Sequence, residues 1–155
     1  MVCGSSVRRQ LAPPSSFGGS VNLESIDNYA QSVSRSGTLY FFSPHRDINN
    51  KGESYYAKWE GNHFDEPKML SLNGANGVRD PYISPDERYL VFISGSDLYI
   101  SYHNNNGWSA GEKLSSEVNN GAHNYSPYLS RDRKMLYYSS EHVHGILMIP
   151  VSIPQ

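Results

Sequence analysis

A single cysteine, Cys3, stands in 155 residues. An intrachain disulfide and a zinc centre built from thiolates are therefore excluded. Charge of one sign is not in excess: 13 Lys and Arg face 15 Asp and Glu. That balance argues against a generic nucleic-acid binder or a protein drawn to anionic membranes, either of which carries a basic surplus. No run approaches the roughly 18 apolar residues of a membrane-spanning helix, so no membrane insertion is expected. The opening residues, MVCGSSVRRQLAPPSS, lack the apolar core of a secretion signal. Nucleophile and phosphate motifs are missing too. No G-x-S-x-G elbow occurs, and neither Gly18-Gly19 nor Gly74-Ala75-Asn76-Gly77 leads into a helical pattern.

What remains is a diet of short strands and tight turns. Tyr numbers 12, Phe 5 and Trp 2, beside 13 Gly and 9 Pro. Aromatics favour pleated, half-buried surfaces, and Gly and Pro punctuate them. The chain also repeats itself. RDPYISPDERYLVFIS (79–94) aligns with YSPYLSRDRKMLYYSS (125–140), matching Pro81 with Pro127, Ser84 with Ser130 and Leu90 with Leu136. NYAQSVSRSGTLYFFS (28–43) is a third copy with a turn shorter by one residue. After the first two copies comes a second element. There Tyr56 aligns with Tyr99, Phe64 with Trp108 and Leu70 with Leu114; the last copy retains only GILMIPVSI (145–153).

Each unit reads as strand, tight turn, strand, loop, strand, turn, strand. Ser84-Pro85-Asp86-Glu87 is a turn because Pro85 presets φ and Asp86 can bond its own backbone. Tyr89–Ile93 is too short for a helix and is aromatic or β-branched, as a buried strand should be. A period of 40 to 50 residues with four strands per unit is the mark of a propeller blade. The expected fold is all-β, with about three four-stranded antiparallel blades (about 28–72, 78–116 and 124–155) forming a partial or half propeller within 21–155. The expected core is Leu39, Phe41, Tyr56, Phe64, Tyr82, Leu90, Phe92, Leu98, Ile100, Trp108, Leu114, Tyr128, Leu136 and Tyr138.

The pattern PYISPDERYLVFIS…SDLYIS…GWSAGEKLS…YSPYLSRDRKMLYYSS resembles the PD40, or WD40-like, repeats related to the TolB propeller. The resemblance spans about 17–153. It departs from the family where Glu87 and Arg133 replace a turn glycine and Arg131 a turn proline. It implies a non-catalytic binding or protein-interaction module with a protein, small-molecule or glycan ligand. The alternative is a scaffold or remnant of a peptidase or glycan-processing hydrolase. Many relatives are periplasmic or secreted, which leaves the compartment open beside the N-terminus described above. An open stack leaves edges and faces unburied. Three readings follow: a piece of a longer propeller, a homodimer closing a six-blade ring, or an open three-blade stack. Residues 1–20, a flexible segment in this reading, can complete the last blade, because Val21-Asn22 mimics Val118-Asn119.

Up-and-down strand order sends alternate connections to opposite faces. One face then collects His45, Arg46, Asp47, Asn49, Asn73, Asn76, Arg79, His123, Asn124, Glu141, His142 and His144. Function concentrates on such loops, so a binding rim is placed there, with His45, Arg46, Asp47, Asn76, Arg79, His123, Asn124, Glu141, His142 and His144 as its candidates. His142 and His144, two apart on an extended stretch, would face the same way and could share a metal given a third ligand such as Glu141 or His45. Such spacing is common by chance, and no metal, cofactor or catalytic residue is expected. Asp86-Glu87 and Asp65-Glu66 read as solvated turn acids.

Overall fold

A computed structural model describes residues 13–17, 19–46 and 52–153. Its described elements are twelve β-strands in three antiparallel sheets. The first sheet runs β1 (Tyr29–Val33), β2 (Leu39–Ser43), β3 (Glu53–Ala57), β4 (Lys68–Met69), in that order. The second runs β5 (Arg79–Ile83), β6 (Tyr89–Ser94), β7 (Asp97–Asn104), with β8 (Gly107–Trp108) and β9 (Glu112–Lys113) both paired to β7. The third holds β10 (Asn124–Leu129), β11 (Met135–Ser140) and β12 (Gly145–Pro150). The expected all-β class is what the structure has.

The sheets stack face on face, and side-chain alternation explains how. β6 is buried along its whole length. Its even residues, Leu90 and Phe92, pack toward the first sheet with Tyr40 and Ile83. Its odd residues, Tyr89, Val91 and Ile93, pack toward the third with Leu129, Leu136 and Tyr138. A continuous apolar run is what a strand covered on both faces requires. A third cluster, Val21, Leu39, Phe41, Tyr55 and Ala57, lies on the opposite face of the first sheet.

The hairpin turns repeat one device. Ser34, Ser84 and Ser130 each accept hydrogen bonds through Oγ from backbone N–H groups further on: Thr38 at 3.1 Å, Arg88 and Tyr89 at 3.0 and 3.2 Å, and Met135 at 3.0 Å. In each the residue three places after the serine is left-handed: Gly37 at φ 89°, Glu87 at 56°, Arg133 at 62°. The approach to the first strand repeats as well. Asn28 donates to Val21 O (3.1 Å) and Asn22 Oδ1 (3.3 Å), as Asn124 does to Val118 O and Asn119 Oδ1 (both 3.4 Å). The match of Val21-Asn22 with Val118-Asn119 is thus a match of geometry.

One pairing of the repeats needs correction. Leu70 N bonds Ser54 O and Leu114 N bonds Leu98 O, at 2.8 and 2.9 Å. Tyr55, not Tyr56, is therefore the counterpart of Tyr99. Tyr55 stacks on Phe41 (5.9 Å) as Tyr99 stacks on Phe92 (5.7 Å). A slip of one residue moves a side chain to the other face of a strand, which is why Tyr56 instead meets Tyr40, with ring centroids 5.9 Å apart. The expected core also loses a member: Tyr128 is 57% exposed.

Candidate functional site

Every first strand carries the same irregularity. The pairing of β1 with β2 shifts between Tyr29 and Ser32, that of β5 with β6 between Arg79 and Tyr82, and that of β10 with β11 between Tyr125 and Tyr128. One extra residue sits in the first strand each time, which is a β-bulge. Ala30, Asp80 and Ser126 occupy it in the left-handed region, at φ 51°, 48° and 49°. None is glycine, so each position costs about 1–2 kcal/mol of backbone strain. Strain kept three times at one place must be held there by its surroundings.

The three bulged strands come together. Ser32 Oγ donates to Pro81 O at 2.8 Å and accepts from Ile83 N at 3.1 Å, joining β1 to β5. Asp80 Oδ2 accepts from Ser126 N at 2.8 Å, and Tyr82 OH donates to Leu129 O at 3.2 Å, joining β5 to β10. Between them opens a cleft of about 420 Å³ lined by residues 30–33, 80–83, 85 and 126–128. Pro81 and Pro127 are buried in its walls. The rings of Tyr82 and Tyr128 meet edge to face at 5.0 Å on one side. Burial, with Tyr128 adding to it, pushes the Tyr82 phenol up to about 12, so it remains a hydrogen-bond donor at neutral pH. β1, β5 and β10 are the edge strands of their sheets, so the cleft is bounded by strand edges, in part tied to one another by these bonds, beside aromatic faces.

The rim proposed from the sequence resolves into parts with different employment. Asn76 and Arg79 join Gly52, Glu53, Gly77 and Gly95 around a depression of about 330 Å³, so connections from two sheets do meet on one face. Arg79 donates to Gly95 O, and Asn76 N to Ser94 Oγ. Glu141 and His144 line a second depression with Tyr125, whose hydroxyl donates to Glu141 at 2.6 Å. That hydrogen bond raises the Tyr125 pKa. His123 is exposed, with its ring 6.4 Å from that of Tyr125. His45 and His142 are exposed.

Two rim candidates are used internally. Arg46 donates to Ser20 O (2.9 Å) and Val21 O, and its guanidinium lies 5.4 Å from the rings of both Phe41 and Tyr55. Asn124 is 1% exposed and ties its strand to Val118 and Asn119. Asp47 and Asn49 lie outside the described residues. The histidine pair is placed differently from its expected extended geometry: Glu141–His144 is a turn, closed by His144 N on Glu141 O at 3.4 Å. Alternation along a strand therefore does not align the two rings. Among the described residues no three His, Cys, Asp or Glu side chains are grouped to hold a metal ion.

The cleft was missed from the sequence, although a signal for it was present. Proline inside a strand belongs to an edge or a bulge, and Pro81 and Pro127 stand at matched positions of two repeats. Comparison with known proteins finds no matching family model and no matching curated protein.

Proposed function

We propose that the chain is a non-catalytic binding module of β-propeller type, built from PD40/TolB-like repeats, and that a protein partner engages it through an extended segment laid in the cleft between β1, β5 and β10. The observation that carries this is the threefold recurrence of a strained bulge around one concavity. Bulges re-aim strand edges and gather next to sites. Edge strands recognise extended peptides by main-chain hydrogen bonds, with side-chain pockets adding selectivity. Tyr82 and Tyr128 supply an aromatic wall, and Gln31 and Ser126 supply exposed polar groups at the mouth. The carboxylates whose titration is shifted, Asp86, Glu87 and Asp132, are all lowered. A general acid or base works best near the operating pH, and these groups move away from it.

The test is selection of a displayed random-peptide library on the immobilised full chain, alongside a Gln31→Arg/Ser126→Arg variant that fills the cleft mouth. Peptides enriched on the native protein and lost on the filled variant are expected. Enrichment indifferent to the two arginines refutes the cleft as the site. Reproducible turnover in a hydrolase-substrate panel, abolished by the same substitutions, refutes the non-catalytic reading.

A further inference from the structure

The three sheets expose apolar surface at their two ends. At the trailing end, Ile146 and Met148 of β12 are 77% and 66% exposed. Their register partners, Ser139 and Tyr137, place them at the positions that Leu98 and Ile100 hold in the second sheet against Ile93 and Val91. Leu98 and Ile100, which the third sheet covers, are 0% and 5% exposed. At the leading end, Val33 is 54% exposed, whereas its counterparts Ile83 and Leu129 are 2% and 1% exposed beneath a preceding sheet. These positions are thus buried in the second sheet, and at Leu129 in the third, where a neighbouring sheet covers them, and open at the two ends, where none is described. Apolar patches of this kind mark interaction surfaces.

The ends also complement each other in their strands. In the second sheet β9 closes the outer edge, with Glu112 beside Ile100 and Lys113 beside Tyr99. Beyond β12 no strand is described, and a cavity of about 260 Å³ opens between Leu114–Val118 and Ile149–Ile153. At the preceding interface that place is occupied: Gly111 N donates to Asn73 O at 2.7 Å and Trp108 packs against the cluster that holds Leu70 and Leu72. Counting back from the matched pairs Val21-Asn22 and Val118-Asn119, Ser15 and Ser16 correspond to Glu112 and Lys113.

We propose that the trailing face and the free β12 edge dock a second copy of this chain. That copy lays residues 13–17 along β12 as the missing strand and covers Ile146 and Met148 with its first sheet. Two copies reciprocate, so both ends of each are covered and six sheets close without a free face. A head-to-tail contact that closes gives a ring, and one that does not gives a filament; six lies within the span of sheets known to close radially. The inference rests on the repeat reading of the sheets and not on any ligand, so failure of the peptide selection leaves it standing.

The experiment uses the full chain with Cys3→Ser. Light scattering on a sizing column should give twice 17.4 kDa, and Val33→Glu or Met148→Glu should each return a folded monomer. One preparation carries Ser15→Cys, another Met148→Cys. Directly opposed antiparallel residues lie within disulfide reach. Mixing the two should yield a cross-linked dimer that neither forms alone. A well-folded native monomer, a mass series without end, or an intrachain disulfide in a third preparation carrying both Ser15→Cys and Met148→Cys overturns the proposal.

Discussion

Asn119 offers a quantitative test of what fastens the third sheet to the second. It is 8% exposed. Its Oδ1 accepts from Leu98 N at 2.7 Å, and its Nδ2 donates to Leu98 O at 3.0 Å and Leu114 O at 2.9 Å. Asn124 adds a fourth link at 3.4 Å. Asn119→Ala removes three well-formed bonds worth about 1 kcal/mol net each, and it leaves the buried Leu98 N–H without an acceptor at about 1–3 kcal/mol. A loss of about 4–6 kcal/mol is expected, a large share of the stability of an ordinary domain. With a urea slope of about 2 kcal/mol/M, the midpoint falls by roughly 2–3 M while the slope is unchanged. Asn22 occupies the matched position but is exposed, and its two bonds, donated to Ser16 Oγ at 3.0 Å and accepted from Asn28 at 3.3 Å, are solvent-exposed as well. In the Met148→Glu chain, where no second copy covers this segment, Asn22→Ala should therefore stay within about 0.5 kcal/mol of its parent. Equal costs for the two substitutions, or a cost below about 1 kcal/mol at Asn119, would show that burial and not sequence position has been misjudged as the source of the difference.

Arg46→Met retains much of the apolar stem but loses the bonds to Ser20 O and Val21 O. The segment around Phe17 should then become markedly more sensitive to chymotrypsin, while the denaturation midpoint of the sheets moves little. Glu87 is pushed up by burial but pulled down further by hydrogen bonds from Ser34, Ser36 and Thr38, so its pKa in the folded state lies below the ordinary glutamate value. Its stabilisation is full above the unfolded pKa and is lost as pH falls through the lower folded value. Glu87→Gln should flatten the decline of urea midpoint below about pH 4.5. Glu87→Gly and Arg133→Gly each relieve about 1–2 kcal/mol of left-handed strain. Glu87→Gly should nevertheless be neutral or destabilising through loss of the Ser36 bond, whereas Arg133→Gly should be neutral or stabilising, because partly exposed ion pairs contribute about 0–1 kcal/mol. Thermal melts in low and high salt separate the two.

Much of the architecture is legible in the residues because its causes are local. Ser84-Pro85-Asp86 dictates a turn wherever it falls, and Tyr89–Ser94 can bury only as a strand covered on both faces. What failed depended on distant context. Tyr128 has the composition of a core residue and the position of Tyr82, but Tyr82 reaches Leu129 on the next sheet and Tyr128 is 57% exposed. The pairing of Tyr56 with Tyr99 failed because a gap in the intervening loop can be placed either side of one residue, and only the ladder hydrogen bonds decide it. Arg46 and Asn124 have rim positions in the chain but internal partners in space. The bulges at Asp80 and Ser126 are signalled only indirectly, by the prolines that follow them, and that at Ala30 not at all, since these residue types do not announce a left-handed backbone as glycine does.

The turns explain why the second and third repeats abandon that glycine. Gly37 adopts φ 89° at no steric cost and has no described sheet before it. Glu87 accepts the strain and uses its side chain to take a hydrogen bond from Ser36, in the turn of the sheet before it, at 2.5 Å. Arg133 accepts the same strain and donates to Asp86 Oδ2 at 2.5 Å, while its guanidinium lies 5.6 Å from the Tyr89 ring. The backbone of Arg35 joins the chain of ties through Pro85 O at 2.8 Å. A left-handed residue with a long polar side chain therefore appears where there is a preceding turn to reach, and glycine where there is none. Strain at one position is offset by contact with the neighbouring repeat. The turns thus act with the bulged first strands as a second line of stitches, which holds consecutive sheets in register at the edge where the cleft forms.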